Sequence, residues 1–89
     1  MAEIEIYTSP FCGYCFRAKA LLDGKGVAYR EIDVMFHPAK RREMVDRAAG
    51  AHAVPQIFID DLHVGGSDEL AALETAGRLD RLLDRSEGP

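Results

Sequence analysis

Two short runs in which apolar and polar residues alternate, Glu3 to Thr8 and Val27 to Val34, flank one helix-length segment. In the first run Ile4, Ile6 and Thr8 alternate with Glu3, Glu5 and Tyr7, and Pro10 closes it. A period of two reads as a strand. Between the runs, Cys15, Ala18, Leu21 and Leu22 recur at helical spacing from Gly13 to Lys25, and Gly24 and Gly26 stop the helix. A strand, a helix and a strand with short joins predict a right-handed crossover and a parallel pair.

The rest of the chain must complete a sheet around that unit. Pro38 suits the first turn of a second helix, with Ala39, Met44, Val45 and Ala48 as its buried stripe and Gly50 as its stop. Gln56 to Asp60 reads as a buried strand, Asp60-Asp61 as a tight turn, and Leu62 to Gly65 as the returning hairpin strand. Ser67 is expected to N-cap a third helix, with Asp68 and Glu69 in its first turn, where the helix dipole favours acids. Leu70, Ala71, Leu73 and Glu74 carry that helix, and Gly77 interrupts it. Leu79, Leu82 and Leu83 form a short final turn or helix, and residues 86–89 are expected to fray. The expectation is a single α/β domain over residues 1–89, with four strands in one mixed sheet and three or four helices. A chain of 89 residues, 47% of them hydrophobic, suits one compact domain near the small end of what a core supports.

Several function classes drop out. No apolar run approaches the ~18–20 residues of a membrane span. The start, MAEIEIYTSP, has no basic segment or cleavage site, so it does not read as a secretory signal, and a cytoplasmic protein is expected. A net charge of −4 without a dominant basic stripe argues against a nucleic-acid partner. The densest basic cluster, Lys40, Arg41, Arg42 and Arg47, reads as a solvated helix face. His37, His52 and His63 are scattered and read as surface or turn residues.

The chemistry points to the stretch TSPFCGYCFRAKALL, which holds the chain's two cysteines, Cys12 and Cys15. Two cysteines cannot close a tetrahedral zinc site, so no metal site is expected from them within one chain. In a reducing compartment a disulfide is usually catalytic or redox-sensing rather than a staple. Residues i and i+3 of a helix lie ~5–6 Å apart on one face, a separation a disulfide accepts. Cys12 falls at the helix N-terminal edge, where unpaired N–H groups and the dipole favour a thiolate. Cys15 lies one turn in and should be less exposed and less acidic. Cys12 is therefore expected to attack and Cys15 to resolve the mixed disulfide. A CxxC beside a βαβ pattern is itself a recognised sign of thioredoxin-like redox chemistry.

Taken together, EIYTSPFCGYCFRAKALL, VPQIFID and HVGGSDELAAL resemble the bacterial dithiol glutaredoxins, and the resemblance covers nearly the whole chain. It implies the thioredoxin fold, a four-stranded mixed sheet flanked by helices. It implies a glutathione-dependent thiol–disulfide oxidoreductase that reduces protein disulfides and protein–glutathione mixed disulfides. It implies a cis peptide at Val54-Pro55, placing the Val54 backbone beside Cys12, where the extended backbone of glutathione could pair like an added strand. By the same resemblance Gly66, Ser67 and Asp68 clamp the γ-glutamyl end: helix N–H groups and the Ser67 hydroxyl take its carboxylate, and Asp68 its ammonium. Tyr14 would flank the tripeptide, where thioredoxins typically carry Pro. Glutathione is thus the expected co-substrate, disulfide-bonded or glutathionylated proteins the partners, and a monomer the apo form.

Three positions depart from the family pattern. Ser9 stands where a Lys is common. Ala51, His52 and Ala53 replace a run of basic residues and Thr before Val-Pro. Both changes predict weaker glutathione binding, unless Lys40 or Arg41 substitutes. Third, the usual CPYC is CGYC here. Gly13 makes the motif similar to members that hold a [2Fe–2S] cluster in a homodimer, with Cys12 of each chain and two glutathione thiolates as ligands. That cluster carrier is the alternative reading. A redoxin fed by thioredoxin reductase is a third, and the GGSD segment argues against it.

Overall fold

The computed structural model describes residues 2–84. Their elements are β1 (Ile4–Thr8), α1 (Gly13–Gly24), β2 (Arg30–Asp33), α2 (Pro38–Arg47), β3 (Gln56–Ile59), β4 (Leu62–Gly65), α3 (Ser67–Thr75) and α4 (Leu79–Asp84). The tail expected to fray, residues 86–89, lies outside the described residues. The four strands form one mixed sheet in the order β2-β1-β3-β4. β1 and β2 are parallel, while β1–β3 and β3–β4 are antiparallel. This is the thioredoxin fold. No helix among the described residues is long and apolar enough to cross a membrane.

Strand alternation sorts the core into two layers. Ile4, Ile6, Ile57 and Ile59 meet Ala18 and Leu22 of α1, Leu70 of α3, and Leu79 and Leu83 of α4. On the other face Tyr7, Ile32, Val34 and Phe58 meet Met44 of α2 and Ala48 just past its end. Ala39, expected in the buried stripe of α2, is exposed, because that helix touches the sheet only through its later turns. The second strand is shorter than the alternation from Val27 to Val34 suggested. Its parallel partner begins at Ile4, and pairing starts at Glu5 with Arg30, so Val27 to Tyr29 run past the end of the ladder.

Two features aim the later loops. Asp60 and Asp61 both have positive φ, 51° and 67°, as a two-residue turn matching the strand twist requires. Opposite Ile57 and Phe58 of β3 the register shifts, and Val64 of the returning strand is the extra residue of a bulge. Bulges bend a strand, and this one precedes Gly65 and Gly66, where α3 begins.

Candidate active site

The chain leaves β1 at Thr8 and reaches Cys12, the N-cap of α1, four residues later. Cys12 has extended backbone (φ −100°, ψ 112°), and its Sγ accepts the Cys15 N–H at 3.2 Å. The sulfur thus caps a donor that no turn of helix can satisfy. Cys12 Sγ also lies 3.9 Å from the Val54 carbonyl oxygen, on the loop before β3, and the Val54-Pro55 peptide is cis. Both thiols are free. Cys12 is partly exposed, whereas Cys15 is 2% exposed. Burial, and then the hydrogen bond with Cys12, push the Cys15 thiol up to about 12.

A groove of about 190 Å³ opens at the Val54 end of this arrangement, and Tyr14, Val54, Pro55, Gly66, Ser67 and Asp68 all line it. Six residues from three separate stretches of sequence therefore share one surface. Gln56 and Glu69, which the sequence pattern did not single out for the site, line it as well. The buried Gln56 donates from Nε2 to the Ala53 carbonyl at 2.9 Å, tying down the loop ahead of Val54. Gly66, not Ser67, is the N-cap of α3, and Ser67 is its first residue. The Glu69 carboxylate reaches back to accept the Gly66 N–H at 2.7 Å, the acidic half of a capping box. The spacing of Gly66 and Glu69 carried that signal, but Ser67 masked it as the more familiar cap. Small residues are needed here: a Cβ on Gly65, whose φ is 115°, would lie 2.9 Å from Glu69 Cγ, and one on Gly66 would lie 3.3 Å from the Pro55 carbonyl oxygen.

The glutaredoxin family model matches residues 4–64. This chain belongs to the glutaredoxin family. Glutaredoxin 3 of Escherichia coli strain K12 is 54% identical to it over 83 residues, covering 93% of this chain and 99% of that one. The solution structure of a Brucella melitensis glutaredoxin, 53% identical, matches with a TM-score of 0.81 over 93% of this chain and 89% of its own. A buckwheat glutaredoxin in complex with glutathione, 28% identical, matches at 0.85 over 94% and 78%.

As a glutaredoxin the chain performs thiol–disulfide redox chemistry. Its basic cluster is not one solvated face. Arg47 folds under α2 onto the sheet, bonding Glu5 and the Tyr7 hydroxyl, with its guanidinium 4.1 Å from the Phe58 ring centre. Lys40 pairs with Glu43 at 3.3 Å. Arg41 reaches toward the loop before Val54, donating to the His52 carbonyl at 3.2 Å. His63 is more than a surface residue: its ring stacks on Phe58 and its Nε2 bonds Gln56 Oε1 at 2.7 Å. Arg17 lies 5.9 Å from the Tyr14 ring centre, a cation–π pair that i,i+3 spacing could have foretold.

Proposed function

We propose that this glutaredoxin is a glutathione-dependent oxidoreductase in which Cys12 is the nucleophile and Cys15 the resolving thiol. The observation that carries the reading is the shared groove of Tyr14, Val54, Pro55, Gly66, Ser67 and Asp68, with the Val54 carbonyl oxygen 3.9 Å from Cys12 Sγ. The Cys12 thiolate attacks the glutathione sulfur of a protein–glutathione mixed disulfide. A bond forms between those two sulfurs, and the partner's cysteine leaves as a thiolate with the electron pair. A second glutathione thiolate then attacks the bound glutathione sulfur, releasing glutathione disulfide and the Cys12 thiolate. In the groove, the Ser67 and Asp68 N–H groups and the Ser67 hydroxyl take the γ-glutamyl carboxylate, since Glu69 already holds the Gly66 N–H. The Asp68 side chain takes the ammonium.

With a protein disulfide, Cys12 first forms a mixed disulfide with the partner. Cys15 then attacks Cys12 Sγ and expels the partner's thiolate. Burial, which first and foremost pushes the Cys15 thiol up to about 12, keeps it almost wholly protonated at neutral pH, so this step is slower than attack by a free glutathione thiolate. Glutathionylated substrates should therefore turn over without Cys15. Glutathione-coupled reduction of a small mixed disulfide tests this: Cys12→Ser should be inactive and Cys15→Ser should keep most of the activity. Equal loss in both variants would overturn the assignment. Such chemistry belongs in a compartment that keeps glutathione reduced, the cytosol.

One observation favours the second reading, a [2Fe–2S]-bridged homodimer. Beyond its chain neighbours and its own helix's backbone, no atom of the described residues lies within 4 Å of where a Gly13 Cβ would stand, so this side of the first turn beside Cys12 is open. Cys12 of two chains and two glutathione thiolates would hold the cluster. Buried Cys15 would not take part. Anaerobic preparations that are colourless and monomeric would end this reading.

A further inference from the structure

The glutathione groove covers one side of Cys12, and the other side is built differently. There a hollow of about 490 Å³ runs from Cys12 past Phe11 and Phe16 to Lys19, Glu31 and Asp33. A second hollow, about 220 Å³, shares Phe16, Lys19 and Glu31 with the first and continues to Tyr29. The two make a continuous track along the edge of α1. Phe11 is fully exposed, at 103%, and its φ is 62°, a left-handed conformation uncommon for a bulky residue. Phe16 is 71% exposed. Phe36 and Met35 are exposed too. Because β1 and β2 are parallel and the Val34 N–H bonds the Thr8 carbonyl, that loop leaves the sheet at the same end. Clustered exposed aromatic side chains mark interaction surfaces.

We propose that this aromatic track is the docking surface for the polypeptide whose disulfide is reduced, and that it favours an apolar and a basic residue beside that polypeptide's cysteine. The proposal deepens the glutathione-dependent reading and rests on it. In the exchange step, the Cys12 sulfur, the glutathione sulfur and the leaving sulfur must line up. Glutathione fills the Tyr14–Asp68 side, so the partner's flanking residues settle on the side that remains, over Phe11 and Phe16. The charge along the track fits a basic residue. Lys19 pairs with Glu31 at 2.9 Å, while the Asp33 carboxylate, which also lines the hollow, accepts the Met35 N–H at 2.7 Å and has no cation partner among the described residues. An extended strand-like segment suits a track this open.

The test compares kcat/KM for three substrates: the glutathione mixed disulfide of 2-mercaptoethanol, a glutathionylated peptide with Leu and Lys beside its cysteine, and the same peptide with Ser and Glu there. Wild type should prefer the Leu/Lys peptide by about tenfold, the scale of a well-buried anchor. The double variant Phe11→Asn/Phe16→Ser should lose most of that preference, keeping only the part that Asp33 gives the Lys, and keep its rate on the small disulfide; Asn tolerates the left-handed backbone at position 11. No preference in wild type, or an equal fall on all three substrates, would overturn the proposal. So would a wild-type dimer that the double variant makes monomeric, since the patch would then belong to a second copy. If wild type fails on the small disulfide with glutathione, the glutathione reading fails by itself. The surface is then tested with plain disulfides of the two peptides and dithiothreitol as reductant, where the same preference is expected and its absence overturns the proposal.

Discussion

Against one face of the sheet, α1, α3 and α4 set Ala18, Leu22, Leu70, Leu79 and Leu83 on the strand isoleucines, with Leu22, Leu70 and Leu79 wholly enclosed. Against the other, α2 sinks one fully buried residue, Met44, and then relies on charge. Arg47 binds Glu5 at 2.9 Å, the Tyr7 hydroxyl at 2.8 Å and Asp61 at 3.0 Å. The Tyr7 hydroxyl in turn bonds Glu43. Burial works against the Arg47 charge, but its bonds to Glu5 and Tyr7 outweigh that and raise its value. The contrast shows how a short, strongly charged helix can roof a sheet. Its own apolar stripe is too thin, so a hydrogen-bonded cation lying flat on Phe58 completes the layer. One face should then be indifferent to pH and the other not.

The largest effect is expected on the dry face. Leu22→Ala should cost about 2–5 kcal/mol in urea unfolding, by the same amount at pH 7 and pH 4. A loss that varied with pH would break the contrast. Next comes Arg47→Met, which keeps much of the stem's packing and removes the charged hydrogen bonds. About 1–3 kcal/mol should be lost at pH 7. The Arg47 hydrogen bond to Glu5 and the Tyr7 hydrogen bond to Glu43 hold both carboxyls below their ordinary 4.5. Their stabilisation is therefore present above that pH and disappears as pH falls through the lower folded-state values. The gap between wild type and Arg47→Met should narrow on acidification below 4.5. A constant gap would mean that Arg47 acts through packing alone. The smallest effect is expected from Lys19→Met, which breaks an exposed pair with Glu31. It should cost less than about 1 kcal/mol, and a larger cost would mean that surface charge also matters on the α1 side.

Much of this was legible in the linear pattern. The alternation of Ile4 and Ile6 with Glu5 and Tyr7 placed β1, and the helical recurrence of Cys15, Ala18 and Leu22 placed α1. Gly77 and the Asp60-Asp61 pair marked real breaks, both at positive φ. The residues that line the groove were nameable through the resemblance to the glutaredoxins, whose motifs lie in three short stretches of sequence. What escaped depends on distance through space. Nothing near Arg47 in sequence announces Glu5, 42 residues away, or Tyr7, 40 away. Whether Ala39 is buried depends on how α2 tilts, and whether Val27 belongs to a strand depends on where its partner begins. The Gly66 cap was missed for another reason: glycine caps by lacking a side chain, and Ser67 offered the more conspicuous hydroxyl.

The enclosure of Cys15 has a practical corollary. Alkylating reagents react with accessible thiolates, and this chain offers one partly exposed thiol and one buried thiol. The folded protein should take a single label quickly, and the second only in molecules that have opened. Counting labels per molecule by mass then gives a gauge of unfolding already written into the motif, with no engineered probe.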